Sequence, residues 1–120
     1  MIRAIVVYDD IDGGDILSDY LSIRGIDVVG TGFNGKQAIE MYKKNKPDVI
    51  ILELSMPEFD GNYAINGIKK IDPDAKIIVI SGSSSYKIDK DKVAGFFLKP
   101  FDVDEIFSAI KKIIVKNSNS

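Results

Sequence analysis

The stretch that decides the fold runs from Val49 to Gly61: Val49-Ile50-Ile51-Leu52-Glu53-Leu54-Ser55-Met56-Pro57-Glu58-Phe59-Asp60-Gly61. Its opening run of branched apolar residues shows neither helical spacing nor alternation. That is the pattern of a strand covered on both faces within a parallel sheet. Glu53 interrupts the run. A charge there is costly unless it stands at the strand's end and meets partners. Pro57 and Asp60-Gly61 then supply turn chemistry. What Glu53 does, and what it meets, is the question the sequence poses.

Outward from this strand the chain alternates. Ile2 to Tyr8 is dense in Ile and Val, reads as a strand, and stops at Asp9-Asp10. Ile11 to Gly14 reads as a turn. Asp15 to Arg24 reads as a helix, with Ile16, Leu17, Tyr20 and Leu21 at helical spacing and Gly25 as its stop. Ile26 to Val29 is a second strand, Gly30 to Gly35 a loop, and Lys36 to Lys44 a helix. Beyond the central stretch, Tyr63 to Ile71 is a helix and Lys76 to Ser81 a strand. Gly82 to Lys92 is polar and supports one or two helical turns at most. Ala94 to Leu98 is the fifth strand. Asp102, with Glu105 in capping-box spacing, opens a helix to about Lys116. Residues 117–120 read as a disordered tail.

Strand and helix alternating in this way predict one α/β domain over residues 1–116. The expected architecture is a flavodoxin-like (βα)5 doubly wound sandwich, with a five-stranded parallel sheet in order 2-1-3-4-5. In that order ligands bind outside the carboxyl ends of the first and third strands. Asp9-Asp10 and Glu53 stand at those two ends. Ser81 ends the fourth strand and Lys99 follows the fifth.

Composition narrows the chemistry. The 120 residues contain no Cys and no His, which removes disulfides, thiolate nucleophiles, a His base and imidazole ligands. Any metal would be held by oxygen and would be a hard ion. A net charge of −2 with no basic stripe argues against direct nucleic-acid binding. No apolar run is long enough for a membrane span or a signal peptide, so a cytoplasmic location is expected.

The ordered set of Asp9-Asp10, Asn34-Gly35, Glu53, Met56-Pro57, Asp60-Gly61, Ser81 and Lys99-Pro100-Phe101 resembles the receiver domain of two-component response regulators, over essentially the whole chain. The resemblance implies a phosphorelay signalling module of the single-domain, chemotaxis-regulator kind, not an enzyme. It implies weak Mg²⁺ binding by Asp9, Asp10, Glu53 and the backbone carbonyl of Ser55, with Asp10 the direct ligand. Ser81 and Lys99 would contact a phosphoryl group, and Phe96 would switch rotamer with Ser81. Lys99-Pro100 would be a cis peptide. Partners would be a sensor histidine kinase, a downstream target protein, or both, with the chain monomeric or weakly dimeric. With no output domain in the sequence, the protein would act by docking or be part of a longer chain.

One position departs from the family. Its phosphoacceptor is an Asp four residues before the Pro of the Met-Pro pair, and here that residue is Glu53. Glutamate reaches roughly 1.5 Å further than aspartate. The expectation is a chain deficient in phosphorylation, or partly held in an active-like state, with Glu53 contacting Lys99 and Ser81. A second reading treats Gly30-Thr31-Gly32-Phe33-Asn34-Gly35 as the GxGxxG of a dinucleotide-binding domain, with Glu53 at about the ribose-binding interval. A third is a pure interaction module that never cycles phosphate.

Overall fold

A computed structural model describes residues 1–82 and 88–118. Five strands form one parallel sheet in the order β2-β1-β3-β4-β5: β1 (Arg3–Val7), β2 (Asp27–Gly32), β3 (Val49–Glu53), β4 (Ile77–Ser81) and β5 (Gly95–Leu98). The helices are α1 (Ile11–Ile23), α2 (Gly35–Asn45), α3 (Gly61–Ile71) and α4 (Val103–Ser118). The order expected from the sequence is the order observed.

Strand alternation divides the core. Ile5, Val7, Ile50, Leu52, Ile77 and Val79 face α2 and α3, meeting Ala38, Tyr42, Ala64, Ile65 and Ile68. Ala4, Val6, Tyr8, Val49, Ile51, Ile78 and Ile80 face α1 and α4, meeting Leu17, Leu21, Ile106 and Ile110. Every β3 and β4 residue is buried. Burying each large aliphatic side chain stabilises the fold by about 1.5–3 kcal/mol. This explains why these strands read as continuous apolar runs rather than alternating ones.

Several boundaries differ from the sequence reading. Helix α1 begins at Ile11, so Ile11 to Gly14 is helix and not turn. The Asp10 carboxylate makes this possible, accepting from the backbone N–H of Asp12 and of Gly13, both at 3.3 Å. Strand β2 extends through Gly30-Thr31-Gly32, where the sequence predicts a loop. Between β4 and β5, where the sequence supports one or two helical turns at most, the described residues hold a single 3₁₀ turn, Lys90–Lys92, and residues 83–87 lie outside them. Helix α4 continues to Ser118, past the boundary drawn at Lys116, and residues 119–120 lie outside the described set.

The end of α2 shows how the backbone is satisfied. Lys46 takes a left-handed conformation (φ 45°) and closes the helix. The Arg3 guanidinium donates to the carbonyls of Asn45 and Lys46 at 2.7 and 3.1 Å, tying the helix end to β1. No helix among the described residues is long and apolar enough to cross a membrane.

Candidate functional site

Parallel strands carry all their carboxyl ends to one rim. Register pairs Val7 with Leu52, Glu53 with Ile80, and Ser81 with Leu98. Tyr8, Asp9, Asp10, Glu53, Ser81 and Lys99 are therefore the residues at or just past the ends of β1, β3, β4 and β5. The backbone N–H of Lys99 donates to the Ser81 carbonyl at 2.8 Å, fixing the turn after β5. The Lys99-Pro100 peptide is cis.

The centre of the rim is an ion pair. The Lys99 ammonium lies 2.8 Å from Glu53 Oε2. The Glu53 side chain is only 8% exposed, whereas that of Lys99 is 37% exposed. Burial pushes the Glu53 carboxyl above the usual carboxylate range. The Lys99 ammonium opposes that shift, while the hydrogen-bonded Asp9 carboxyl adds to it. Burial, reinforced by Glu53, Asp10 and Asp9, also pushes the Tyr8 phenol up.

The sequence-expected residues divide into groups. Glu53 meets Lys99 directly, and Asp9 lies close enough to Glu53 to raise its pKa. Asp10 stands beside them, with its carboxylate turned onto the first turn of α1. Ser81 is completely buried at the end of β4. Ser55 lies exposed just past β3. Phe96 is half-buried on the α2/α3 face of the sheet, against the cluster that Ile88 and Val93 also join. The sequence reading gave Tyr8 no role. Yet its ring centroid lies 5.0 Å from the Lys99 ammonium. An aromatic residue at the end of a strand, just before two acids and close to Gly13-Gly14, was the signal.

The donors fit a hard cation in kind. They are all oxygens, and the neighbouring carboxyl groups of Asp9 and Glu53 favour a proton or a cation between them. Their present engagements differ from a coordination shell. Asp10 caps α1, Glu53 is paired with Lys99, and among the described residues no three acidic side chains converge as an ion-holding group.

The loops beside the rim are packed by glycine. Gly35 N–H donates to the Phe59 carbonyl at 2.6 Å. A Cβ at Gly35 would lie 2.5 Å from the Asp60 carbonyl oxygen, so only glycine allows the β2–α2 and β3–α3 loops to meet. Gly30 and Gly32 sit within β2 against Met41. The glycines of the GxGxxG motif thus serve packing, which removes the motif's claim to be a phosphate-binding turn.

A doubly wound sheet with an acid–lysine cluster at its switch point defines the class, and comparison with known proteins gives the family. The model of the response regulator receiver domain matches residues 4–111. The chemotaxis protein CheY of Thermotoga maritima is 37% identical over 115 residues, covering 92% of this chain and 96% of the relative. The response regulator TrrA of Thermotoga maritima, solved with Mg²⁺ and BeF, superposes with a TM-score of 0.85 at 30% identity, covering 93% of this chain and 98% of that one. A receiver domain protein from Clostridium thermocellum shares the fold with a TM-score of 0.89 at 22% identity, covering 98% of each chain. The chain belongs to the response regulator receiver family, the CheY-like receiver domains of phosphorelay two-component signalling.

Proposed function

We propose that this receiver carries Glu53 at the family's phosphoacceptor position, and that the side chain stands in for the phosphoryl group instead of accepting one. The observation that carries this reading is the 2.8 Å pair between Glu53 and Lys99. A carboxylate held on the ammonium that would otherwise meet a phosphoryl oxygen leaves no charge for that oxygen to neutralise. The extra reach of glutamate, roughly 1.5 Å, also misplaces the attacking oxygen. Misplacement of about 1 Å costs on the order of a hundredfold in rate. The mimicry is partial, because a carboxylate is planar and carries a single charge.

Asp9, Asp10, Glu53 and the Ser55 carbonyl are the groups that would hold Mg²⁺. The ion would supply positive charge opposite the phosphoryl oxygens. Binding is weak, because Glu53 and Asp10 must leave the engagements they now have. Ser81 and Phe96 form the switch pair. The protein acts in the cytoplasm by docking with a sensor histidine kinase or a downstream target, as a monomer or weak dimer.

The test compares the wild type with Glu53→Asp, each incubated with acetyl phosphate and Mg²⁺ and read by mass spectrometry. The aspartate variant gains one phosphoryl group and the wild type gains none. Labelling of the wild type that disappears in Glu53→Ala would overturn the reading.

A further inference from the structure

Tyr8 ends the apolar run of the first strand and is 6% exposed. Its ring lies 5.0 Å, centroid to nitrogen, from the same Lys99 ammonium that pairs with Glu53. Lysine is a long side chain with substantial rotamer freedom. One partner at its tip leaves much of that freedom, and a second partner at a different angle removes it. The face of an aromatic ring attracts an ammonium through its quadrupole, more strongly as water is excluded. Here the ring and the carboxylate supply two fixed partners on the half-exposed lysine.

Helix α1 supplies an independent observation. Glycine is a poor helix former, yet Gly13 and Gly14 both stand in its first turn. A Cβ at Gly13 would lie 3.1 and 3.2 Å from the Tyr8 ring carbons Cδ2 and Cε2. A Cβ at Gly14 would lie 3.2 Å from Tyr8 Cβ. The helix start leaves open the space that the ring occupies.

We infer that Tyr8 is a positioning residue, whose ring carries the Lys99 ammonium and directs it onto Glu53, so that the lysine is held with no phosphoryl group present. The role belongs to the π face of the ring and not to the phenol hydroxyl. Phenylalanine therefore preserves it, and an aliphatic side chain of similar bulk does not. A ring serving only as core filler would leave Lys99 indifferent to that exchange.

The test is ¹³C relaxation of the lysine ε-methylene groups in the full chain, with Lys99 assigned by its loss in Lys99→Arg. In the wild type and in Tyr8→Phe, the Lys99 ε-methylene group is more ordered than that of the exposed Lys43. In Tyr8→Leu its order falls to that of Lys43, while Lys43 itself is unchanged. Tyr8→Met repeats the comparison should the leucine variant melt without cooperativity. Lys99 as mobile as Lys43 in the wild type, or equally ordered in both aliphatic variants, overturns the assignment.

Discussion

Lys99→Met tests the centre of the site through stability. The substitution keeps most of the stem and removes the charge. Glu53 is then left as a carboxylate 8% exposed with its cation gone. Breaking a fully buried pair costs about 3–5 kcal/mol, and exposed pairs are worth about 0.2–1 kcal/mol. This pair lies between those limits, because the carboxylate is buried while the lysine is 37% exposed and partly screened. The loss is also limited by protonation of Glu53. An estimate of about 2 kcal/mol follows. Glu53→Gln removes the charge that needs a partner, so the double variant should recover more than half of that loss. Urea denaturation at pH 7 in low salt gives the four midpoints, with a common slope as the check that only stability has changed. Equal stability of Lys99→Met and wild type, or a double variant no better than Lys99→Met alone, would refute the reasoning. Either result would mean that the stability of Glu53 in its site does not depend on the lysine.

Other consequences are open to measurement. Tyr42 donates to Asp72 at 2.7 Å, and burial first, then this bond, raises its phenol pKa above the ordinary 10.0. A raised folded-state value stabilises below the unfolded pKa and loses its effect as pH rises through the folded one. Stability should therefore fall as pH climbs past 10, and Tyr42→Phe should flatten that limb in urea titrations at pH 9 and above. Gly67→Ala would gain helix propensity, but its Cβ would stand 2.2 Å from Ile39 Cδ1. It should lower stability by about 1–3 kcal/mol in the same assay, and Ile39→Ala should relieve the clash. Asp10→Asn keeps a good helix cap while losing a charge. Mg²⁺ or Mn²⁺ affinity, read by titration, should drop while the melting temperature holds within about 2 °C, an interval equivalent to well under 1 kcal/mol.

Much of the fold and of the site is legible in the sequence. The apolar runs at Val49 to Leu52 and Ile77 to Ile80 point to strands covered on both faces, because they are short, rich in β-branched residues and bounded by turn residues. Alternation with helices forces parallel crossovers, and these carry every strand's carboxyl end to one rim. Asp9, Asp10, Glu53, Ser81 and Lys99 could therefore be gathered at that rim from their places at strand ends. The start of α1 is not legible in the sequence, because Asp10 stands where the first strand's apolar run stops and its role as a cap depends on a side-chain angle. Gly30-Thr31-Gly32-Phe33-Asn34-Gly35 matched a phosphate-binding pattern because a pattern of glycines does not say what presses against them.

What the amino-acid order determined alone was local: which segments are strands, which are helices, and which polar residues end each one. What only the tertiary structure decided was which groups touch. Lys99 and Glu53 are far apart in the chain, and their 2.8 Å contact follows from register across β3, β4 and β5. The same packing placed the Tyr8 ring beside that ammonium, above a helix start made open by Gly13. Periodicity is a property of neighbours along the chain, whereas contact at a sheet's rim depends on distances summed over the whole fold.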